Sequence, residues 1–503
     1  MPEPELHSPP AFSELKERRL IFLLCCLTAV HVFIFSAAFP LFNNMDEQTH
    51  FDLVVKYSEN GVPRALEPLS QESLRYIVLF STLAYFANPT NLPDGRFPPP
   101  PWTQPAEKVR QALLAAEKFG SGMLNYEASQ PPVYYELAGF WWRLGKWCGI
   151  HDGYLPYWIR FLNMLLMPAL VWVGYAAAKS VFQENLFARM AVPALLAFMP
   201  ESAFYSIEND VLSPLCFGLA FVCLMQFWRA KTPDIRLGII TGLALAATFL
   251  TKMTNLPILA VSLGFVLLKI RQLAKTEKMK LSLPPLAALF ICAGLPAVIW
   301  MIWCKCAYGD FTGSQAKVAS FGWTHKPFAE WWHHPIFTPG GFWIFLSVNL
   351  ASFWQGEMMW HGKQLALPPL NVFYVVASMV FIAIALFHLS SKSAGTPRRH
   401  ALWFAFAGLA AAFAFFGFLS VIYDFHDFFY PSREHPYFTS GRLMLGVLIP
   451  FMLLFVFGFD RALNHFGNAV KFSALAAMIL LMIAGEIITD WPVFANEYNW
   501  FHL

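Results

Sequence analysis

Charge is what this chain has least of. Asp, Glu, Lys and Arg make up 13% of its 503 residues, against about 25% in a typical soluble protein. That scarcity excludes an ordinary water-facing surface. The net charge of +3 is too small for a nucleic-acid footprint. Interior charges are also too few for a proton-pumping chain. A disulfide framework is missing. Of the eight cysteines, Cys25, Cys26, Cys216, Cys223 and Cys292 lie in apolar runs, where a thiol behaves as a small hydrophobe. Cys304 and Cys306 form the one close pair outside such runs, and a single intervening residue strains a disulfide. No usable glycosylation acceptor occurs, because Asn88-Pro89-Thr90 is blocked by its proline. This favours a bacterial envelope over an endoplasmic reticulum lumen. There is no Gly-rich phosphate loop, internal repeat or coiled-coil heptad.

Apolar and aromatic residues fill the sequence instead. Hydrophobic side chains make up 57%, with 51 Phe and 18 Trp, and the mean hydropathy is +0.47. Eleven runs read as membrane spans: 20–41, 158–179, 188–206, 211–228, 236–250, 254–268, 284–304, 368–389, 401–423, 443–459 and 470–489. Most approach the length needed to cross a hydrocarbon core of about 30 Å. Two, 236–250 and 254–268, are short and suit tilted or broken helices. The expected fold is therefore all-α, a polytopic membrane protein with about eleven transmembrane helices (range about ten to thirteen).

Lys and Arg set the orientation. Lys16, Arg18 and Arg19 precede the first span, which lacks a small-residue cleavage site, so it reads as an anchor rather than a signal peptide. With the N-terminus cytoplasmic, Lys179, Arg229, Lys231, Lys269, Arg271, Lys392, Arg398, Arg461 and their neighbours all flank cytoplasmic connections, as the positive-inside rule requires. The organisation becomes a cytoplasmic segment 1–19, a first span 20–41, an extracytoplasmic loop 42–157, spans over 158–304, a second outer loop 305–367, spans over 368–489 and an outer tail 490–503. The bacterial inner membrane is the expected location. The first loop holds a Pro-rich linker, Pro98–Pro105, and amphipathic stretches at 104–119 and 132–148. The second stretch suits an interfacial helix, with Trp141, Trp142 and Trp147 at headgroup level. Residues 340–360, aromatic and apolar, suit a segment lying along or dipping into the bilayer.

Polar residues out of place mark candidate chemistry. Asp46-Glu47, with His50, follows the first span directly. Adjacent, partly desolvated carboxylates have raised pKa values, useful in a general base or a metal ligand. The same pair also suits the start of a helix, favoured by its dipole. Glu201 and Glu208-Asn209-Asp210 end the third span, where a turn needs polar residues in any case. Lys252 sits in a short outer turn against the charge bias, as a phosphate partner or as a snorkelling side chain. Arg442 opens the tenth span, and a guanidinium suits a phosphate bidentately. Asp424, His426 and Asp427 are the right types for a divalent cation, although their spacing forms no tight ligand set. His333 and His334 are adjacent and point different ways. His31 and His388 lie within spans and suit packing.

Five stretches together resemble a family: DEQTHF at 46–51, QPPVYYELA at 130–138, MPESAFYSIENDVLSPL at 199–215, FLTKMTNLPIL at 249–259 and FTSGRLMLGVLIP at 438–450, with SFWQGEMMW at 352–360 between the last two. Their order and sidedness resemble the C-type (GT-C fold) superfamily of integral membrane glycosyltransferases that use polyprenyl-phosphate sugars. The likeness is to its uncharacterised bacterial predicted-membrane-protein members and covers roughly 20–460. It departs at Leu443, where an aromatic is usual, and at Gln48-Thr49. The resemblance implies an enzyme on the non-cytoplasmic face. It would move a sugar from a polyprenyl-phosphate donor to a glycan, lipid or protein acceptor, with inversion. Asp46 would be the base, with Glu47 and Asp210 as further catalytic acids. His50, Asn209, Lys252 and Arg442 would bind substrate, the two cations holding the donor phosphate. A divalent cation is the one cofactor left open. Two other readings stay beside it: a transporter or flippase of lipid-linked intermediates, and a non-catalytic scaffold with the same fold.

Overall fold

The helices begin and end where side chains can satisfy the free backbone groups. Asn185, Asp234 and Thr338 each cap a helix by accepting a hydrogen bond from the backbone N–H three residues on. The computed structural model describes residues 14–43, 45–120, 122–276, 278–390 and 396–503. Residues 1–13, Asn44 and Lys392 of the sequence reading fall outside these. In chain order the helices are α1 (Glu14–Ala38), α2 (Glu47–Ser58), α3 (Gln71–Phe80), α4 (Ala106–Gly120), α5 (Val133–Trp147), α6 (Tyr154–Arg160), α7 (Asn163–Val181), α8 (Leu186–Ala197), α9 (Ser213–Arg229) and α10 (Ile235–Thr251). There follow α11 (Leu256–Ala274), α12 (Met279–Tyr308), α13 (Ser314–Ser320), α14 (Phe328–Trp331), α15 (Pro339–Gln355), α16 (Pro368–Ser390), α17 (Thr396–Ile422), α18 (Leu448–Ala462) and α19 (Asn468–Phe494).

The chain is an all-helical, multi-pass integral membrane protein. Among the described residues nine helical stretches are long and apolar enough to cross a membrane, and α8 and α10 are shorter apolar helices. These eleven coincide with the eleven predicted runs, with two corrections. The run 188–206 is helical only to Ala197. Beyond it the chain turns through Pro200 into a short 3₁₀ segment, Ser202–Tyr205, and on to Glu208. The run 254–268 is no short helix, since its span extends over Met253–Ala274.

Two helices that are apolar all round meet different solvents. The stretch Gly441–Ala462, containing α18, is 94% buried and forms the centre of the bundle, against α8, α9, α16 and α17. The stretch Met279–Tyr308 is only 17% buried, so its apolar face is left for lipid. The first long loop folds into a helical layer, α2 to α5, over one end of the bundle. Its core is aromatic. Trp142, expected at headgroup level, is instead fully buried against Phe51 and Tyr76. Trp141 stacks on Trp158 with centroids 4.5 Å apart, and of the three only Trp147 is fully exposed. The Pro-rich stretch lies against the C-terminal tail, where Tyr498 donates to the carbonyls of Pro98 and Pro99. A small β-pair, Thr324–His325 with Tyr423–Asp424, ties the second long loop to the segment after α17.

Candidate functional site

Four segments far apart in sequence end at one place. Asp46 follows α1, Glu208 and Asp210 precede α9, Glu357 follows α15 and Arg442 precedes α18. The Arg442 guanidinium sits among the four carboxylates. Nη2 donates to Asp46 Oδ2 at 2.6 Å, and Nη1 lies 2.9 Å from Glu208 Oε2 and 3.4 Å from Asp210 Oδ2. Nε is 3.7 Å from Glu357 Oε2. Lys252, at the break between α10 and α11, pairs with Asp210. A planar fork of five donors suits several carboxylates at once in a way that an ammonium does not.

Local backbone geometry brings these groups in. Asp46 is the residue before α2, yet its side chain does not cap that helix. Its backbone is left-handed, at φ 63° and ψ 10°, a conformation that carbon-β disfavours and that Asp adopts more readily than most residues. The side chain thereby reaches Arg442 on one oxygen and accepts from the Tyr126 hydroxyl on the other, at 2.6 Å. At Gly356, φ is +76°, and a Cβ there would lie 1.9 Å from Ser202 Oγ. A Cβ on Gly441 would lie 2.1 Å from the backbone nitrogen of Phe353. Only glycine lets these turns approach closely enough to present Glu357 and Arg442 to the same point.

Electrostatics separate the carboxyls. Burial alone would raise Asp46, but the Arg442 guanidinium, then Lys317 and the Tyr126 hydroxyl, hold it well below the usual carboxylate range. Glu127, buried beside Lys317, is lowered in the same way. Burial pushes Glu208 well up and raises Glu357, outweighing the pull of Arg442 on each. Asp46 is also the most open of the carboxylates around Arg442, with a side chain 28% exposed, whereas Glu208 and Asp210 are sealed.

Glu47 does not join Asp46. It is fully buried and turned back onto Arg160, which grips both its oxygens at 2.7 Å and also donates to the carbonyls of Ser36, Phe39 and Pro40. The amides of Asn43 and Ile207 complete its shell. Glu47 therefore has no lone pair aimed at a substrate and acts as a staple for the turn that aims Asp46. His50 is buried with Nδ1 2.6 Å from the Tyr135 hydroxyl. Burial lowers it to about 4, so it is neutral at neutral pH. Asn209 donates to Gln130 and to the Thr251 carbonyl, tying the first loop to α10.

Asp424 and His426 lie in a separate surface cluster. Asp424 holds Arg433, and His426 lies against Arg433 and Thr324, with Asp427 acting on the same guanidinium through its charge. Arg433 takes up both Asp424 oxygens and His426 Nδ1, and among the described residues no three His, Cys, Asp or Glu side chains are grouped so as to hold a metal ion. Around Arg442 one oxygen each of Asp46, Glu208 and Asp210 faces a cation of the protein, while Glu208 Oε1 and Asp210 Oδ1 are buried without a hydrogen-bond partner. All eight cysteines are free.

Tyr126, Glu127, Lys317, Glu357 and Arg160 were not singled out from sequence. Arg160 alone left a signal there, as a guanidinium just inside a predicted span.

Helical bundle, loop layer and carboxylate-caged arginine together define a multi-pass membrane protein with a polar site at one end of its spans. The chain belongs to the DUF2142 family of predicted membrane proteins, whose model matches residues 29–422. Asp46, Asp210, Lys252 and Glu357 fall within that match, and Arg442 lies beyond it. No curated protein matches the chain. Among solved structures, it is similar to the archaeal oligosaccharyltransferase AglB from Archaeoglobus fulgidus, in complex with an inhibitory peptide and a dolichol-phosphate. The alignment covers 95% of this chain and 56% of that one, with a TM-score of 0.40 and 10% identity. The chain thus spans little more than half the length of that protein.

Proposed function

We propose that this protein is a GT-C-type glycosyltransferase of the bacterial inner membrane. It moves a sugar from a polyprenyl-phosphate donor to an envelope glycan, lipid or protein on the non-cytoplasmic face. The reading rests on the motif resemblance and on one observation above the rest: Asp46 is held as an anion by Arg442 and Tyr126 and is still the most open carboxylate of the cage.

In the proposed reaction an acceptor hydroxyl attacks the anomeric carbon from the face opposite the phosphate. Its proton passes to Asp46. The carbon–oxygen bond to the lipid phosphate breaks, the phosphate leaves with the electron pair, and configuration inverts. Arg442 and Lys252 set a positive field where the leaving charge develops, which is the preorganised stabilisation that lowers such barriers. Asp210 fixes Lys252, Asn209 holds the loop over the site, and His50 supports the acceptor side as a neutral hydrogen-bonding group. Glu47, with Arg160, is a positioning residue.

The experiment is transfer of label from a panel of polyprenyl-phosphate sugars to membrane acceptors by purified protein. Asp46→Asn, inserted and folded as the parent, should cut transfer by about 10²–10⁴-fold, and Arg442→Ala should abolish it. Transfer that survives Asp46→Asn overturns the base. A protein that carries lipid-linked substrate across vesicles without making product is the flippase instead.

A further inference from the structure

The end of the bundle away from Arg442 carries a second polar site. Helix α9 runs from beside Asp210 to Arg229, and α18 runs from just after Arg442 to Arg461, so both join the two ends. At about 1.5 Å per residue, α9 sets them roughly 25 Å apart. There an open cavity of about 600 Å³ is lined by Asn185, Leu186, Arg229, Arg398, Asn468 and Lys471 with their neighbours.

Its charge is unbalanced. Lys471 is taken by Asp460 at 2.6 Å, and the nearby Lys179 and Arg189 by Glu14 and Glu17. Arg229 and Arg398 have no carboxylate at ion-pair distance among the described residues, and Arg229 donates to the Ser180 carbonyl. Arg398 shares the Phe457 ring with Arg461, at 5.5 and 5.3 Å, so a like charge stands beside it, and Asp460, which acts on it through its charge, lies beyond ion-pair distance and is bonded to Lys471 instead. The one acid on the wall, Glu184, is exposed at the rim. Three helices also begin here. Leu186 of α8, Pro397 of α17 and Asn468 of α19 all line the cavity. The starts of α8 and α19 offer backbone N–H groups to an anion, although Asn185 already takes the Ala188 N–H, whereas Pro397 has no N–H and the α17 start contributes only its partial positive charge. The cavity lies at the ends of membrane-crossing helices, the level at which lipid phosphates sit.

We propose that this cavity binds a phosphate group, carried by an acidic phospholipid or present as free phosphate. The guanidinia of Arg229 and Arg398 meet its oxygens and the helix N-termini complete the cradle.

The test uses the full chain in detergent, titrated with phosphatidylglycerol, with phosphatidylcholine and with inorganic phosphate. Bound lipid is counted by native mass spectrometry and phosphate binding is read by thermal shift. Phosphatidylglycerol should be retained over phosphatidylcholine, and Arg229→Gln with Arg398→Gln should weaken retention at least about tenfold. Glu184→Lys, an exposed change at the rim, should strengthen it about fivefold. Displacement of lipid by millimolar phosphate assigns the site to phosphate from either source. Selective lipid retention with no phosphate response assigns it to the headgroup. Equal retention of both lipids without a phosphate response, or a Glu184→Lys variant that changes neither reading, overturns the proposal even if the arginine variant fails to fold.

Discussion

Arg442 donates to Asp46 at 2.6 Å across 396 positions of chain. The contact closes the turn after the first helix onto the start of the most buried span. It also explains why Asp46 forgoes the helix cap that its position offers. A capping carboxylate would face the N–H groups of α2, whereas this one faces a guanidinium and a phenol. A left-handed aspartate held off its cap is strain that the surrounding contacts must maintain, and such strain concentrates at working sites.

Tyr126 gives the first prediction. Its hydroxyl donates to the charged form of Asp46, so Tyr126→Phe removes a bond that favours the anion. The Asp46 pKa should rise toward its ordinary value. If Asp46 is the base, the acid limb of the kcat/KM profile should move up by about one pH unit, with little change in the plateau. A plateau loss with an unmoved limb would mean that Tyr126 serves only the fold.

The Glu47–Arg160 pair gives the second. Both side chains are fully buried, and removing one partner of such a pair costs about 3–5 kcal/mol because the other charge is left unpaired. Thermal unfolding in detergent should show this for Glu47→Gln and for Arg160→Met. The double variant should cost less than the sum by about 1–3 kcal/mol. Strict additivity would show that the pair is not coupled. Arg160 also serves three backbone carbonyls, so the double variant should not regain the parent's stability.

His50 gives a pH prediction. Its folded pKa of about 4 lies below the ordinary value of about 6.5. The unfolded chain therefore binds the extra proton first. This contribution to stability is present in full above about pH 6.5 and is lost as pH falls toward 4. The melting temperature should drop between pH 7 and pH 5 in the parent. In a His50→Gln variant the drop should be smaller, and an identical pH slope would refute the assignment.

The sequence shows the spans because lipid demands long apolar runs, and it shows Asp46, Asp210, Lys252 and Arg442 because each interrupts or borders such a run. Charge stands out against hydrocarbon. It does not stand out inside a long polar loop, where Tyr126, Glu127 and Lys317 look like any solvated residues. Glu357 sits in an aromatic stretch that reads as membrane-seeking. The Asp46-Glu47 dipeptide misleads in a different way, since adjacency suggests a shared task. One backbone turn sends the two carboxylates to different arginines, and no spacing rule encodes that turn. Tertiary packing likewise decides Trp142: an interfacial tryptophan and a core tryptophan look the same on an amphipathic helix.

Gly356 provides the sharpest steric test of the site. Its φ of +76° belongs to glycine, and a Cβ there would sit 1.9 Å from Ser202 Oγ and 2.7 Å from Glu201 Oε1. Gly356→Ala therefore meets two costs. The backbone conformation costs about 1–3 kcal/mol, and the clash drives Glu357 away from Arg442 or Glu201 out of its buried place. Thermal unfolding should show at least the first cost, and transfer activity should fall more than stability does, because the cage is displaced while the bundle is not. Ser202→Ala added to Gly356→Ala separates the two. It removes the shorter contact but not the φ, so it should restore part of the activity and little of the stability. Full activity in Gly356→Ala alone would mean that the position of Glu357 does not matter to the site.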